Sequence, residues 1–515
     1  MFSPYFDSHE EYYESGVALS ETGLLSPDAE GLEPRAWRGP LYPAFIAVVE
    51  AGFVKPWPGH VAVAQALLST LSVAVVAALA FLFGGIPAAL FAAVFAAFDP
   101  GQILAVPVLN VHGFYGLTVL ALAAAAALSA RESSFAATAG FGLSLAASLL
   151  CRSSHVFAAP LLAVLAARRS GLKAAAAVLL WTCLGLLPWT IRNAVRVGGF
   201  TALDVGGGSY SLLSASQGGL GAASVAEGMK IAETLRPGFA AAHPNQTEAE
   251  GAMRALAFGE IARRPGSYFI SSLRRLWTFW KPLWPLVFLA MFAFWRSRPD
   301  PALTAVACVA ASFSAYAALG GHPGYELGVA PVMHVLAGYG AAALLPRFRN
   351  AAAPDAVLAV GARRVVLAGI GLLLIFTAGV QTWSLVDAFR GRRPAPAYTG
   401  PRVLSLIKSG SVMSGGHWRK SLTYAELRAK PLRNEGVRLF MEGRIEAAAE
   451  SFRAAVAASP RGAEDRVNLC VALGRLGKKK EALEQCDRAV ALAHGGDAAL
   501  LESARSSRDS LRKAR

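Results

Sequence analysis

Seven residues near the start of the chain, Asp7 to Tyr13, hold three carboxylates (Asp7, Glu10, Glu11), His9, Tyr12 and Tyr13. A carboxylate in such a cluster can accept a proton from the hydroxyl or amine of an acceptor. The same residues also suit a helix start, with Asp7 or Ser8 as the cap and Glu10 and Glu11 in the first turn. A second group is Arg38-Gly39-Pro40-Leu41-Tyr42-Pro43. An arginine at a membrane surface can grip a phosphate through two parallel hydrogen bonds. Against that, Arg38 with Trp37 and Tyr42 also makes an interfacial anchor. The third group, Pro188-Trp189-Thr190-Ile191-Arg192-Asn193, is read as a helix ended by proline, with Arg192 and Asn193 offering donors to phosphate or sugar. Its alternative is an arginine snorkelling to the interface. The fourth, Cys151-Arg152-Ser153-Ser154-His155, sets a charge between two short apolar runs. There Arg152 either lines a polar cavity or sits at the interface.

The elements that must carry these groups follow from hydropathy. The chain has 515 residues, 54% hydrophobic and 16% charged, with a mean hydropathy of +0.43. That composition excludes a disordered chain. Runs such as 61–83 carry no charge at all and read as membrane spans. Ten spans are expected, near 60–83, 86–98, 112–130, 135–150, 155–167, 174–191, 275–295, 301–319, 327–345 and 364–387. Residues 1–58 read as a first external loop with two amphipathic helical pieces, one stopped at Gly23 and one over 41–53. Residues 59–389 form the transmembrane domain, and 193–273 is a long external loop within it. The turn Gly206-Gly207-Gly208 in that loop lacks the strand–helix context of a nucleotide fingerprint.

Arg131, then Arg168, Arg169 and Lys173, then Arg296 and Arg298, then Arg347, Arg349, Arg363 and Arg364 fall in alternate loops, which marks those loops as cytoplasmic. Parity then sends 1–58, 99–111, 193–273 and 320–326 outward, and the tail with them. Arg390, Arg392 and Arg393 pull the tail the other way.

Residues 390–515 hold 25 Lys and Arg against 13 Asp and Glu, so the tail carries +12 of the net +15. A basic tail beside a bilayer points to anionic head groups rather than to nucleic acid. After a linker at 390–425, residues 426–515 repeat. Asn434 and Asn468, Leu439 and Leu473, Gly443 and Gly477, Ala448 and Ala482, and Ala455 and Ala489 are each 34 apart. That period belongs to tetratricopeptide helix pairs, and 498–513 would cap the stack. Such repeats bind a partner or space domains. Cys470 and Cys486 fall on facing helices of the second unit. They read first as small buried residues, a disulfide being open only for an extracytoplasmic tail. No C-x-x-C occurs among the five cysteines.

In this order, the segments from about residue 5 to 345 resemble the bacterial membrane glycosyltransferases of the C-type (GT-C) fold. The nearest likeness is to family-39-like enzymes, relatives of protein O-mannosyltransferases and of the lipid A aminoarabinose transferase. The resemblance is carried by Asp7 with Tyr12 or Tyr13 and Gly23, by Arg38 to Pro43, and most specifically by Pro188 to Asn193. Ile261, Pro265, Gly266, Tyr268, Arg274, Arg275, Phe279 and Trp280 add to it, as do Pro323 to Pro331. It implies an all-α, polytopic bundle with a C-terminal helical repeat domain, in the bacterial inner membrane, with the active site extracytoplasmic. It implies transfer of a sugar from a polyprenyl phosphate to a lipid, glycan or protein acceptor. Asp7 inherits the role of general base, and Arg38, Arg152 and Arg192 that of holding the donor phosphate. Glu10, Glu11, Tyr12, Tyr42, Asn193, His112 and Tyr325 are the acceptor or sugar contacts. The expected partners are the polyprenyl-phosphate sugar, membrane lipids and a protein bound by the repeats.

The sequence departs from the family pattern in three places. The family has a transmembrane helix ahead of its catalytic Asp, so that helix is expected upstream of Asp7 or is missing. Asn110-Val111-His112 stands where the family often has an acid, with His112 as its replacement. Gly324-Tyr325 stands where it often has Arg-Tyr. No cofactor is implied, and a divalent metal stays open. These departures motivate a second reading, a degenerate transferase serving as a membrane scaffold for the repeats. A third is a transporter of lipid-linked sugar.

Overall fold

The computed structural model describes residues 12–23, 25, 38–53, 58–106, 108–132, 134–153, 156, 158–196, 201–203, 208–220, 225–243, 246–296, 300–320, 325–345, 356–389, 412–414, 417–419, 424–458, 460, 462–493 and 498–513. Two units divide it, one running to Gly400 and the other from Pro401. The first is helical throughout its described residues. Among the described residues, five helices are long and apolar enough to cross a membrane: Gly59–Ala97, His112–Arg131, Leu172–Arg196, Pro301–Leu319 and Leu358–Phe389. They expose large apolar side chains such as Leu67, Leu90, Leu180, Leu372 and Ile375. A helix facing hydrocarbon requires such a surface, and one facing water is destabilised by it.

Helix α1 (Tyr12–Thr22) buries Tyr12, Tyr13, Val17 and Ala18 and stops at Gly23, where φ is 71°. It lies on α2 (Leu41–Glu50). A Cβ at Gly16 would come 2.5 Å from Ile46. Helix α3 (Pro58–Ala97) is two arms, because Gly84 and Gly85 leave helical geometry. This matches the separate runs at 60–83 and 86–98. Then follow α4 (Pro100–Ala105), α5 (His112–Arg131), α6 (Phe135–Cys151), α7 (Ala158–Ser170) and α8 (Leu172–Arg196). Small residues let α6 and α8 touch closely. A Cβ at Gly142 would meet the Val178 carbonyl oxygen at 2.5 Å, and one at Gly185 would meet Ala146 at 2.6 Å.

Three expectations fail in this unit. Pro188 does not end α8, which continues to Arg196. Contacts along its last turns, described below, outweigh the one backbone hydrogen bond that proline removes. The stretch 193–273 is not a plain loop. It folds into α9 (Ser209–Ser216), α10 (Val225–Leu235), α11 (Phe239–Ala242), α12 (Gln246–Arg263) and the start of α13 (Pro265–Trp280). Tyr210, Leu213, Ala232, Phe239, Met253 and Ala257 give it a core of its own.

The run at 275–295 is likewise broken. A 3-10 turn at Lys281–Leu283 separates α13 from α14 (Trp284–Arg296), and Pro282 within the turn lacks the N–H that a continuous helix would use. The unit closes with α15 (Pro301–Leu319), α16 (Ala330–Ala343) and α17 (Ala356–Phe389).

Ion pairs show which loops share an end of the bundle. Arg131 meets Asp300 at 2.6 Å and donates to the Leu82 carbonyl, and Arg363 meets Glu132 at 2.5 Å. Loops near 82, 132 and 300 and the start of α17 therefore gather at one end. At 1.5 Å per residue, Asp387 on α17 lies about 36 Å from Arg363, at the other end.

The second unit contains one antiparallel strand pair, Val412–Ser414 with His417–Arg419, within what was expected to be a plain linker. Its helices are α18 (Tyr424–Met441), α19 (Ile445–Ala458), α20 (Ala463–Arg475), α21 (Lys479–Ala493) and α22 (Ala498–Lys513). The turns between α18 and α19 and between α20 and α21 use Gly443 (φ 77°) and Gly477 (φ 74°), 34 residues apart. Leu439, Ala448, Phe452, Leu469, Leu473 and Ala482 make the core, and Leu511 of α22 packs against Gly474. Cys470 and Cys486 are joined by a disulfide, so they are more than the two small core residues first read there.

Candidate functional site

Pro40 precedes α2 and fixes the approach of the chain to it. Gly39 lies directly on the last carbonyls of α6. A Cβ there would fall 2.1 Å from the Leu150 oxygen and 3.0 Å from that of Cys151. Only glycine allows that approach. It brings Arg38 to the end of α6, where Arg152 follows as the C-cap, 5% exposed with an extended backbone. Arg38 is half-buried and donates from Nη1 to the Tyr210 hydroxyl at 3.5 Å. The backbone segments that carry Arg38 and Arg152 thus come close, and Arg38 bonds a tyrosine from α9.

Tyr42, on the same segment as Arg38, belongs to an aromatic cluster. Tyr12 packs edge-on against Tyr42 with ring centres 5.1 Å apart. Tyr42 contacts Phe45 and Phe114, and Phe45 stacks on Phe114 at 5.1 Å. The Tyr42 hydroxyl donates to Gln65 Oε1 at 2.5 Å. Gln65 Nε2 in turn donates to the carbonyls of Val106 (2.7 Å) and Val108 (2.9 Å). This chain of bonds ties α2 and α3 to the loop that carries buried Asn110 and half-buried His112, two residues before Phe114.

Other expected contacts fall elsewhere or outside view. Asp7, Glu10 and Glu11 lie outside the described residues, and Tyr325 begins the 3-10 turn Tyr325–Gly328 with its side chain outside them. Arg192 is 1% exposed and pairs through Nε with Asp387 Oδ2 at 2.9 Å. It also lies over the rings of Trp189 and Trp383. Asn193 donates to the Thr201 carbonyl at 3.1 Å. Arg196 donates from Nε to the Asp387 carbonyl, and Trp383 donates to the carbonyl of Gly23. The block that best carries the family resemblance therefore ties α8 to α17 and to the end of α1. A guanidinium enclosed with its counter-ion is not presented to a ligand, which corrects the expectation for Arg192. Trp189 is fully buried rather than interfacial.

Sequence reasoning missed two further polar clusters. Glu50 is 2% exposed, accepts from the Tyr13 hydroxyl at 3.0 Å and meets His60 Nδ1 at 3.1 Å, so α1, α2 and α3 are joined at one carboxylate. Asp99 caps α4 by accepting from the N–H groups of Gly101 and Gln102, and meets His334 Nε2 at 2.9 Å. Burial opposes ionisation of Asp99. The His334 hydrogen bond and charge, with those two N–H groups, nevertheless hold its carboxyl below the usual range. Both clusters leave a trace in the sequence. Glu50 is the only acid between Glu33 and Asp99, and Asp387 the only one on α17. An isolated carboxylate in apolar surroundings needs a partner.

Among the described residues, no group of three or more His, Cys, Asp or Glu could hold a metal ion. No family model matches the chain, and neither curated proteins nor solved structures show a match.

Proposed function

We propose that this chain is a membrane glycosyltransferase of the C-type fold that moves a sugar from a polyprenyl-phosphate donor to an extracytoplasmic acceptor. The observation that supports the reading most is the close approach of Gly39 to the last carbonyls of α6, which brings the backbone next to Arg38 near that of Arg152. An inverting displacement needs a base on one face of the sugar and a stabilised phosphate leaving group on the other. Asp7 is the base that takes the proton of the acceptor hydroxyl or amine. Arg38, with Arg152, neutralises the charge that develops on the departing phosphate. Tyr12 and Tyr42 line the sugar, and Arg192 orders the scaffold rather than the donor. The C-terminal unit is a pair of tetratricopeptide units with a capping helix that recruits a protein acceptor or assembly partner.

The test is release of polyprenyl phosphate from a panel of polyprenyl-phosphate sugars by the full-length protein. Asp7→Asn and Arg38→Ala are each expected to abolish release with the protein still folded. Unchanged release in Asp7→Asn overturns the assigned base. The scaffold reading draws on the use of Arg192 and Asn193 for packing. It predicts no release from any donor and full cellular function in Asp7→Asn.

A further inference from the structure

One face of α13 is tied to α15. The Tyr268 hydroxyl donates to the Leu319 carbonyl at 2.9 Å, Arg275 Nη2 to that of Ala318 at 2.8 Å, and Trp280 Nε1 to Ser314 Oγ at 3.0 Å. Phe279 stacks on Phe313 with ring centres 6.2 Å apart. These contacts fix the rotation of α13 and leave Phe269, Ile270, Leu273 and Trp277 each more than half exposed. At 3.6 residues per turn, those four form one stripe. The stripe continues past the 3-10 turn at Lys281–Leu283. Trp277 contacts Trp284 with ring centres 5.4 Å apart, and Trp284 contacts Phe288 at 5.1 Å. Phe288, Met291 and Trp295 of α14 are again more than half exposed. An apolar surface of that length is unfavourable in water.

Two cations border the stripe. Arg274 and Lys281 are exposed, and Lys281, the C-cap of α13, keeps helical backbone angles. Seven residues make two turns, so both lie on one side of the helix, about 10 Å apart along its axis. Neither makes an ion pair among the described residues. Deep in hydrocarbon the two charges are unfavourable, and in water the stripe is. The boundary suits both, because tryptophan sits there at head-group level and cations reach the phosphates. Pro282 breaks the helix at that same level, so α14 need not share the direction of α13.

We propose that α13 lies in the membrane interface with its stripe in the acyl boundary, and that Arg274 and Lys281 together bind the phosphate of an anionic phospholipid. The inference rests on a bilayer around the five long apolar helices and stands whether or not the chain transfers a sugar.

The head-group site is tested by native mass spectrometry of the full-length protein in detergent, with phosphatidylglycerol and phosphatidylcholine of the same acyl chains. Phosphatidylglycerol is expected to be retained in preference. Arg274→Gln/Lys281→Gln should weaken its binding roughly 30-fold, as for two cations beside an anionic surface, at an unchanged melting temperature because both side chains are exposed. Arg274→Lys/Lys281→Arg keeps both charges and should keep the binding. So should Lys478→Gln/Lys480→Gln in the basic tail. Binding that survives Arg274→Gln/Lys281→Gln overturns the site, and loss in the tail variant alone moves it to the tail.

The seat of the helix is tested in phosphatidylglycerol bilayers brominated either near the head group or near the chain end. The emission lost in Trp277→Phe reports Trp277, and shallow bromine should quench it more strongly. Stronger quenching by deep bromine, or no quenching by either, overturns the interfacial seat. Two chains that associate without lipid and separate in Phe269→Ser/Leu273→Ser overturn the lipid in favour of a second copy on the stripe.

Discussion

The disulfide between Cys470 and Cys486 offers a test whose size follows from the chain itself. The bridge closes a loop with a sequence separation of 16 and joins α20 to α21. Loop-closure entropy for that length stabilises the folded unit by about 3 kcal/mol. Both cysteines are fully buried in an apolar core, so on reduction the thiols stay packed and the loss is mainly chain entropy. At about 1.4 kcal/mol per decade, amides that exchange through opening of this unit should speed up by roughly 100-fold. The assay is hydrogen exchange by mass spectrometry on the full-length protein in detergent, comparing the native chain with Cys470→Ala/Cys486→Ala. Exchange should rise across 463–493 and stay unchanged in His112–Arg131. Alkylation of unreduced, denatured protein should modify Cys151, Cys183 and Cys308 alone. Alkylation of all five cysteines would refute the bridge, and with it an oxidising location for the tail. Unchanged exchange across 463–493, with the bridge verified, would refute its energetic role.

Three other outcomes are expected. Arg192→Ala leaves Asp387 buried without its ion-pair partner and should cost about 3–5 kcal/mol, while Arg192→Met/Asp387→Leu should recover most of that, both read from thermal melts. Because the Asp99 carboxyl is held below its usual range, its stabilisation is present above the unfolded value of about pH 4 and is lost as pH falls through the lowered folded value. Melting temperature should therefore drop on acidification below about pH 4, and less steeply in Asp99→Asn. Gly39→Ala forces the chain away from the Leu150 carbonyl and, on the transferase reading, should lower sugar transfer by about 100-fold through misplacement of Arg38. An unchanged rate there would separate Arg38 from the reaction.

Local features read well from the sequence and long-range partners did not. The stop at Gly23, the break between 83 and 86 and the 34-residue period are set within a few residues, by glycine conformation and by apolar spacing. The folded stretch between α8 and α13 reads as a loop because α9, α10 and α11 are short and α12 alternates polar and apolar residues without a wide stripe. Its core forms only when α9, α10, α11 and α12 come together. The run at 275–295 looked continuous because hydropathy does not register the missing N–H of Pro282. For the candidate site, Arg38 and Arg152 are 114 residues apart, and nothing local announces that Gly39 must rest on the end of α6.

Arginine was the least legible residue, and burial is what sorts it. A guanidinium taken fully out of water must find its acceptors inside the protein. Arg192 does so with Asp387, and Arg275 with the carbonyls of Ala215, Gly219 and Ala318. Both are 1% exposed and both join helices distant in sequence. Arg38 differs in degree, because it is half-buried and donates to the hydroxyl of Tyr210. On the transferase reading, an anionic head group held at the end of a bundle needs both kinds of arginine. The enclosed ones fix the ends of the helices, and a reachable one can then meet the ligand without moving the frame. On this logic, substituting Arg192 should lower stability and activity together, and substituting Arg38 should lower activity alone. Equal melting losses from the two substitutions would show that Arg38 is a strut like the others.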